Sequence, residues 1–301
     1  MQFQSRVEPP GYVPPVHRRG FLLSLAGALA AAAAGHGATG LGAGTRPAGR
    51  GPVAHGGPLQ APPVSLAAIH RPPDAGAAAV DPPRGVVSGL PGEGSALALT
   101  IDDGVNSDVV AAFVALAART GIRLTFFPNG RYRSWQDNAA ALRPLVDSGQ
   151  VALGNHTWSH PDVTTLDDRA LTDEIGRNKQ FLWSTYGVRT PFFRPPYGAH
   201  NAHSDAVAAD LGHPTIALWN GTLGDFTVIS PAQLVAGARQ WFTAQRIVIG
   251  HANHQPVTTV FGELLDLVAQ RTLHTVTLAD VWASPSARLR GASATGRAHT
   301  R

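Results

Sequence analysis

Leu97-Ala98-Leu99-Thr100-Ile101-Asp102-Asp103-Gly104 is the stretch on which the reading of this chain turns. An apolar run of strand length ends abruptly in two carboxylates and a glycine. In an open or barrel-like α/β sheet, the carboxyl end of a strand is where ligands bind. Neighbouring carboxylates repel, and a cation or a proton relieves that repulsion. Asp-Gly is also an ordinary turn dipeptide, so this stretch alone leaves a solvated turn and a binding site both open.

Outward from it, strand and helix patterns alternate from Ser95 to about Trp282. Apolar strands are predicted at Leu97–Ile101, Arg123–Phe127, Val151–Gly154, Phe192-Phe193, Thr215–Trp219, Arg246–Ile249 and Thr275–Leu278. Between them lie helical patterns from Ser107 or Asp108, from Asn138 to Gly149, from Thr165 or Asp167 to Tyr186, near Ser204–Leu211, from Ser230-Pro231 to Phe242, and over Val260–Ala269. Such alternation specifies a mostly parallel sheet with crossover helices. The segment is short for eight full βα units, so the expected fold is α/β, a distorted or incomplete (β/α) barrel forming a single catalytic domain at 95–283.

The flanks read differently. His17-Arg18-Arg19-Gly20-Phe21-Leu22-Leu23 leads into a short Ala-rich apolar run ending at Gly35. A basic segment, an apolar segment too short to span a bilayer and then small residues make an export signal over 1–44, with the paired arginines of the twin-arginine type. The expected location is therefore outside the cytoplasm: secreted, associated with the cell wall, or tethered to the membrane by an uncleaved signal. Residues 45–94 are rich in Gly, Pro and Ala, with Pro62-Pro63, Pro72-Pro73 and Pro82-Pro83 opposing helix. They are expected to form a disordered linker, and 284–301 a disordered tail. The net charge is +4, and Lys179 is the only lysine. The arginines form no stripe, which argues against nucleic-acid binding. The absence of cysteine excludes disulfides, thiol catalysis and a thiolate zinc site.

A parallel sheet places all its strand carboxyl ends on one side, so Asp102, Asp103, His156, His160, Arg194, Asp225 and His251 are expected to converge there. His156 and His160 lie four residues apart, which on a helical turn sets two imidazoles on one face. With one carboxylate they make a three-donor cation site that keeps open positions, as metal-assisted hydrolysis requires.

Thr100-Ile101-Asp102-Asp103-Gly104, His156-Thr157-Trp158-Ser159-His160 and Arg194-Pro195-Pro196-Tyr197 resemble, in this order and spacing, the first three motifs of the polysaccharide deacetylases, the NodB-homology domains of carbohydrate esterase family 4. Val248-Ile249-Gly250-His251 is similar to the last motif. The resemblance implies divalent-metal-dependent removal of N-acetyl or O-acetyl groups from an acetylated polysaccharide on a distorted barrel. It implies Asp102 as base, Asp103, His156 and His160 as ligands, Arg194 as the residue holding the base, and His251 as general acid. Tyr197 matches the position whose backbone N–H helps hold an oxyanion. Trp219, Ile249 and Phe226 are candidates to line a slot for the acetyl methyl, and Asp225 stands with the substrate-binding candidates. Zinc is the first choice of metal, and cobalt, manganese and nickel suit the same donors.

Two departures accompany the resemblance. The fourth motif reads Thr222-Leu223-Gly224-Asp225-Phe226, with Thr222 where the family has Asp and Phe226 where it has Trp. In the last, Ile249 replaces Leu and Ala252 follows the histidine in place of Asp. These bear on how Arg194 and His251 are supported. The alternatives are an O-acetyl esterase or other C–N hydrolase using the same site, or a weakly catalytic carbohydrate-binding relic. The glycan and the oligomeric state are not written in the sequence.

Overall fold

A computed structural model describes residues 81–282. The expected signal, most of the expected linker and the tail lie outside the described residues. In chain order the elements are β1 (Gly85–Val87), β2 (Ala96–Asp103), α1 (Ser107–Thr120), β3 (Leu124–Pro128), α2 (Ser134–Asp137), α3 (Ala139–Asp147), β4 (Val151–Leu153), α4 (Asp168–Tyr186), β5 (Phe192–Phe193), α5 (Ala202–Asp210), β6 (Thr215–Ala217), β7 (Gly221–Thr222), α6 (Pro231–Trp241), β8 (Arg246–His251), α7 (Phe261–Gln270), β9 (His274–Thr275) and α8 (Leu278–Val281).

All strand pairs are parallel. One sheet runs β4-β3-β2-β8-β7, and β9 pairs with the start of β2, which β3 leaves free; a second sheet runs β1-β6-β5. Isolated bridges join them, Asn155 to Phe193 on one side and Gly89 to Arg246 on the other. The circuit is a distorted α/β barrel, as the alternation predicts.

The inside of the barrel follows from the two-residue period of the strands. Ala98, Phe127, Phe192, Ala217 and Ile247 pack together within it. Their neighbours Leu97, Leu99, Ile101, Phe126 and Val248 pack outward, in one cluster with residues of the flanking helices. Phe193 and Ile216 face a separate cluster with Leu171 and Ile175 of α4 and Ala208 of α5. Continuing the same parity, Thr100 and Asp102 on β2, Arg194 after β5, and Ile249 and His251 on β8 point inward at the carboxyl rim.

Three helices are closed by local signals that the sequence carries. Asn106 caps α1 through its side-chain oxygen, and Gly121 ends it in the left-handed region. Asp167 and Gly187 do the same for α4. Ser230 and Gln233 form a capping box around Pro231 at the start of α6.

Two expectations are corrected. The linker does not run to residue 94: β1 pairs with β6, and Leu90 is buried in the barrel interior. Its Pro-Pro and Gly punctuation masks a strand of only three residues. The last strand is two residues long, and Thr277 caps a short helix where strand was expected, its hydroxyl accepting from Asp280 N–H. The helix expected from Asn138 is α3, and a further short helix that the sequence reading did not include, α2, precedes it.

Candidate active site

The rim opens where β2 ends. By strand parity Asp103 should face the helix layer, but its φ of 68° turns it out of the strand, and Gly104 follows at 87°. Trp135 Nε1–H (2.8 Å) and the Asn129 N–H (3.2 Å) donate to the Asp103 carbonyl and fix this turn. A Cβ on Gly104 would lie 2.4 Å from the Trp135 ring, so glycine is required on steric as well as conformational grounds. Successive residues thereby point both carboxylates toward one centre.

His156 and His160 reach that centre without a helical turn, contrary to expectation. The Asn155–Phe193 bridge keeps the chain extended as far as Asn155, and Thr157 and His160 then adopt φ of 66° each. Such backbone is costly for non-glycine residues and persists only when the surroundings fix it. Here they do. Asn129 Nδ2 donates to the carbonyls of His156 (2.5 Å) and Thr157 (3.2 Å). The Thr157 N–H donates to Asn155 Oδ1, and Thr157 Oγ1 accepts from the His160 N–H. Glu174 of α4 takes both the Ser159 N–H (2.7 Å) and the Ser159 hydroxyl (2.6 Å).

Asp103, His156 and His160 present ligand atoms that all lie within 4.8 Å of one another. Asp103 Oδ1 is 3.3 Å from Nε2 of each histidine. It is buried and has no hydrogen-bond partner, an arrangement that is costly for a charged oxygen unless a cation meets it. His156 Nδ1 is turned to the Arg194 carbonyl at 2.6 Å, which leaves Nε2 as the ligating nitrogen. A carboxylate and two imidazoles, with no thiolate, suit a borderline divalent cation and leave positions open. The residues present therefore fit a divalent metal.

The charges in this cluster are strongly coupled. Burial pushes the Asp103 pKa up, but His156, His160 and His251 outweigh it and hold the carboxyl well below the usual range. Burial and His156 bring His160 down to about 4. Burial opposes the charged form of His156, yet Asp102 and Asp103 carry its pKa above the ordinary value.

Asp102 sits beside the cluster. Arg194 Nη1 donates to its Oδ1 at 2.7 Å, and both side chains are buried. The guanidinium is fixed by Thr100 Oγ1 (2.8 Å) and by the carbonyls of Ala217 (2.8 Å) and Leu218 (3.3 Å), and it lies 4.1 Å from the centre of the Phe127 ring. Burial lowers its pKa and Asp102 opposes that. Thr222 does not take the place of the expected carboxylate: its hydroxyl accepts the Gly224 N–H. Thr100 and two carbonyls support the arginine instead, a set that strand parity alone does not reveal.

On the adjoining strand, Asp102 is in register with His251. Asp225 Oδ1 accepts from His251 Nδ1 at 2.8 Å, and Oδ2 accepts the His251 N–H at 3.0 Å. Burial opposes protonation of His251, but Asp225, with Asp102 and Asp103 beyond it, pushes the imidazole up to about 9. Asp225 is thus corrected from a substrate contact to the residue that holds His251, since both its oxygens are taken and it is buried.

The remaining candidates divide. Tyr197 has φ of 62°, and its ring packs edge-on against His160 at 4.6 Å. Trp219 lies 5.5 Å from the Arg194 guanidinium and borders Gly198. Ile249 faces the barrel interior and is almost closed off. Phe226 is 68% exposed and lines no enclosed slot, because the loop after Asp225 turns outward once the carboxylate has reached His251. His254 follows on the same rim, half-buried.

The polysaccharide deacetylase family model matches residues 90–216. That span includes Asp102, Asp103, His156, His160, Arg194 and Tyr197; Asp225 and His251 lie beyond it and join the site through the β2–β8 pairing. Among curated relatives, the chain is 31% identical over 119 residues to a chitin deacetylase of Pestalotiopsis, covering 40% of each protein. It is 27% identical over 190 residues to a peptidoglycan-N-acetylglucosamine deacetylase of Listeria monocytogenes, over 62% of this chain and 38% of that one. The chain thus spans well under half the length of these two relatives. A family 4 carbohydrate esterase from Streptomyces lividans, solved with acetate, superposes with a TM-score of 0.54 at 26% identity, over 62% of this chain and 94% of that one. Fold, rim geometry and these likenesses agree in pointing to the polysaccharide deacetylase family, whose model matches residues 90–216.

Proposed function

We propose that this protein is a metal-dependent hydrolase that removes N-acetyl groups from an acetylated polysaccharide of the cell-wall or chitin type. The observation that carries the reading is the orphaned Asp103 Oδ1 between two imidazoles, next to an aspartate that is held by arginine. The names of the relatives, deacetylases of chitin and of peptidoglycan, support the substrate class.

Asp103, His156 and His160 would hold the cation. Bound there, a divalent metal supplies Lewis acidity, polarising an acyl carbonyl and lowering the pKa of water toward about 7. Asp102 is the base. Its Oδ1 is committed to Arg194, so Oδ2 takes the proton as water attacks the acyl carbon. Arg194 pairs with that carboxylate and holds its orientation. His251, charged and one strand away, gives its proton to the nitrogen as the C–N bond breaks, releasing acetate and a free amine. A positively charged imidazole opposite a carboxylate separates acid and base roles by environment. The Tyr197 backbone is the candidate donor to the oxyanion, an interaction worth roughly 3 kcal/mol in other acyl-transfer sites.

In the same reading, residues 1–44 direct export by the twin-arginine route, so the polymer is met outside the cytoplasm. Replacing Arg18 and Arg19 with lysine should retain the protein in the cytoplasmic fraction.

The test is acetate release from acetylated chito-oligosaccharides and from peptidoglycan glycan fragments, with added Zn²⁺ or Co²⁺ and with a chelator. Release that the chelator abolishes and metal restores is expected. No release from any acetylated glycan, or release indifferent to the chelator, overturns the reading.

A further inference from the structure

The geometry assigns Asn253 as a positioning residue that selects which oxygen of Asp103 meets the cation. This rests on the metal-dependent reading above and adds a residue that none of the five motifs includes. Asn253 Nδ2 donates to Asp103 Oδ2 at 2.6 Å, short for an amide donor and charge-assisted. Its Oδ1 accepts the Val105 N–H at 3.1 Å. These two partners fix the amide's orientation: reversed, it would set oxygen against carboxylate and N–H against N–H.

The consequence falls on Asp103. One of its oxygens is saturated by the amide, and the other is buried, without a hydrogen bond, and equidistant from the two histidines. A carboxylate free on both oxygens can bind a cation through either or both. Asn253 removes that choice and presents Oδ1 alone, leaving other coordination positions open. Hydrogen bonds of this kind to metal-ligating carboxylates typically contribute about 10–100-fold in metal affinity.

Asn253 also ties the acid to the ligand. It lies two residues after His251, and the intervening Ala252 N–H donates to the Asp102 carbonyl (3.0 Å) while the Ala252 carbonyl accepts the Asn106 N–H (3.3 Å). The β8 turn that carries the proton donor and the β2 turn that carries base and ligand are thus laced together, and Asn253 supplies the one side-chain link that ends on the ligand itself. A small residue at 252 permits this: Ala252 is fully buried beneath the lacing.

Two variants separate the donor from its bulk. Asn253→Ala removes both, and Asn253→Leu removes the amide while keeping the volume. Zn²⁺ affinity is read by competition with a chromogenic chelator, the ligand field by the visible spectrum of the Co²⁺-loaded protein, and the fold by thermal unfolding of the metal-free protein. Both variants should lose about 10–100-fold in affinity and show a changed Co²⁺ spectrum, with unfolding of the metal-free protein little moved. Wild-type affinity and spectrum in Asn253→Leu would overturn the assignment, because the residue would then act by packing alone. A wild-type protein that takes up neither ion would instead overturn the metal reading on which the assignment stands.

Discussion

Asp225 grips His251 twice, at the ring Nδ1 (2.8 Å) and at the backbone N–H (3.0 Å). The carboxylate sets both where the imidazole stands and whether it is charged. His251 is pushed up to about 9 even though burial pulls the other way. In Asp225→Asn burial acts without its largest opponent, Asp102 and Asp103 alone remaining against it, and the pKa falls. The proposed acid works only when protonated, so the alkaline limb of the pH–kcat profile should move to lower pH, with a loss on the order of 10-fold at pH 8. A bound cation also lowers this pKa by charge repulsion, so the wild-type limb of the loaded enzyme should lie below 9. The same shift is a stability term. The folded state holds the His251 proton more tightly than the unfolded chain, so its contribution is full below pH 6.5 and is lost as pH rises through about 9. Urea unfolding of the metal-free protein across that window should show the loss in wild type and not in Asp225→Asn.

Base and ligand are adjacent in sequence but should separate in experiment. Asp102→Asn removes the proton acceptor and leaves Asp103, His156 and His160 in place. Acetate release should fall by about 10²–10⁴-fold, while bound Zn²⁺, measured by atomic absorption after dialysis, stays near the wild-type ratio. His160→Ala removes one of three ligands and should lose metal and activity together. Loss of metal in Asp102→Asn would reverse the roles given to the pair.

The strand–helix alternation made much of the rim legible in the sequence, because a parallel sheet sets every strand's carboxyl end on one side. In the structure Ala98, Thr100 and Asp102 alternate with Leu97, Leu99 and Ile101, and this parity aims Asp102 inward. The same rule aims Arg194 and His251. What parity misses is backbone that leaves the strand. Asp103 joins the site only because its φ is positive, and His156 and His160 meet through two left-handed residues and not through a helix. No periodic signal encodes such turns. The residues that stabilise them, Asn129, Glu174 and Asn253, are polar residues of loops and of a helix whose partners are distant in the chain. The strand β1 was hidden for another reason: three residues among prolines and glycines carry too little pattern to register.

Gly154 is a place where the site depends on the packing beneath it. A Cβ there would fall 2.1 Å from Cε1 of Phe127. That ring lies in the barrel interior and underlies the Arg194 guanidinium. Gly154→Ala must displace the ring, at a cost of about 1–3 kcal/mol by overpacking. The displacement should reach Arg194 and through it Asp102. We expect a lower urea midpoint with unchanged m-value, together with a reduced kcat and a nearly unchanged metal affinity.

Arg194 and Asp102 make a buried ion pair, and such pairs are expensive to break from one side. Arg194→Met leaves the Asp102 carboxylate buried without its partner, which should destabilise the protein by about 3–5 kcal/mol. Thr100 and the carbonyls of Ala217 and Leu218 lose their donor as well. Lysine is no substitute, because one ammonium cannot reproduce a planar fork that meets four acceptors in different directions. If the uncompensated charge is the main cost, neutralising it should recover stability. The double variant Asp102→Asn, Arg194→Met should therefore be more stable than Arg194→Met alone, with a coupling of about 1–3 kcal/mol in a double-mutant cycle. Urea denaturation of the metal-free proteins measures the coupling. Additive losses would mean that packing and not charge sets the cost at this position.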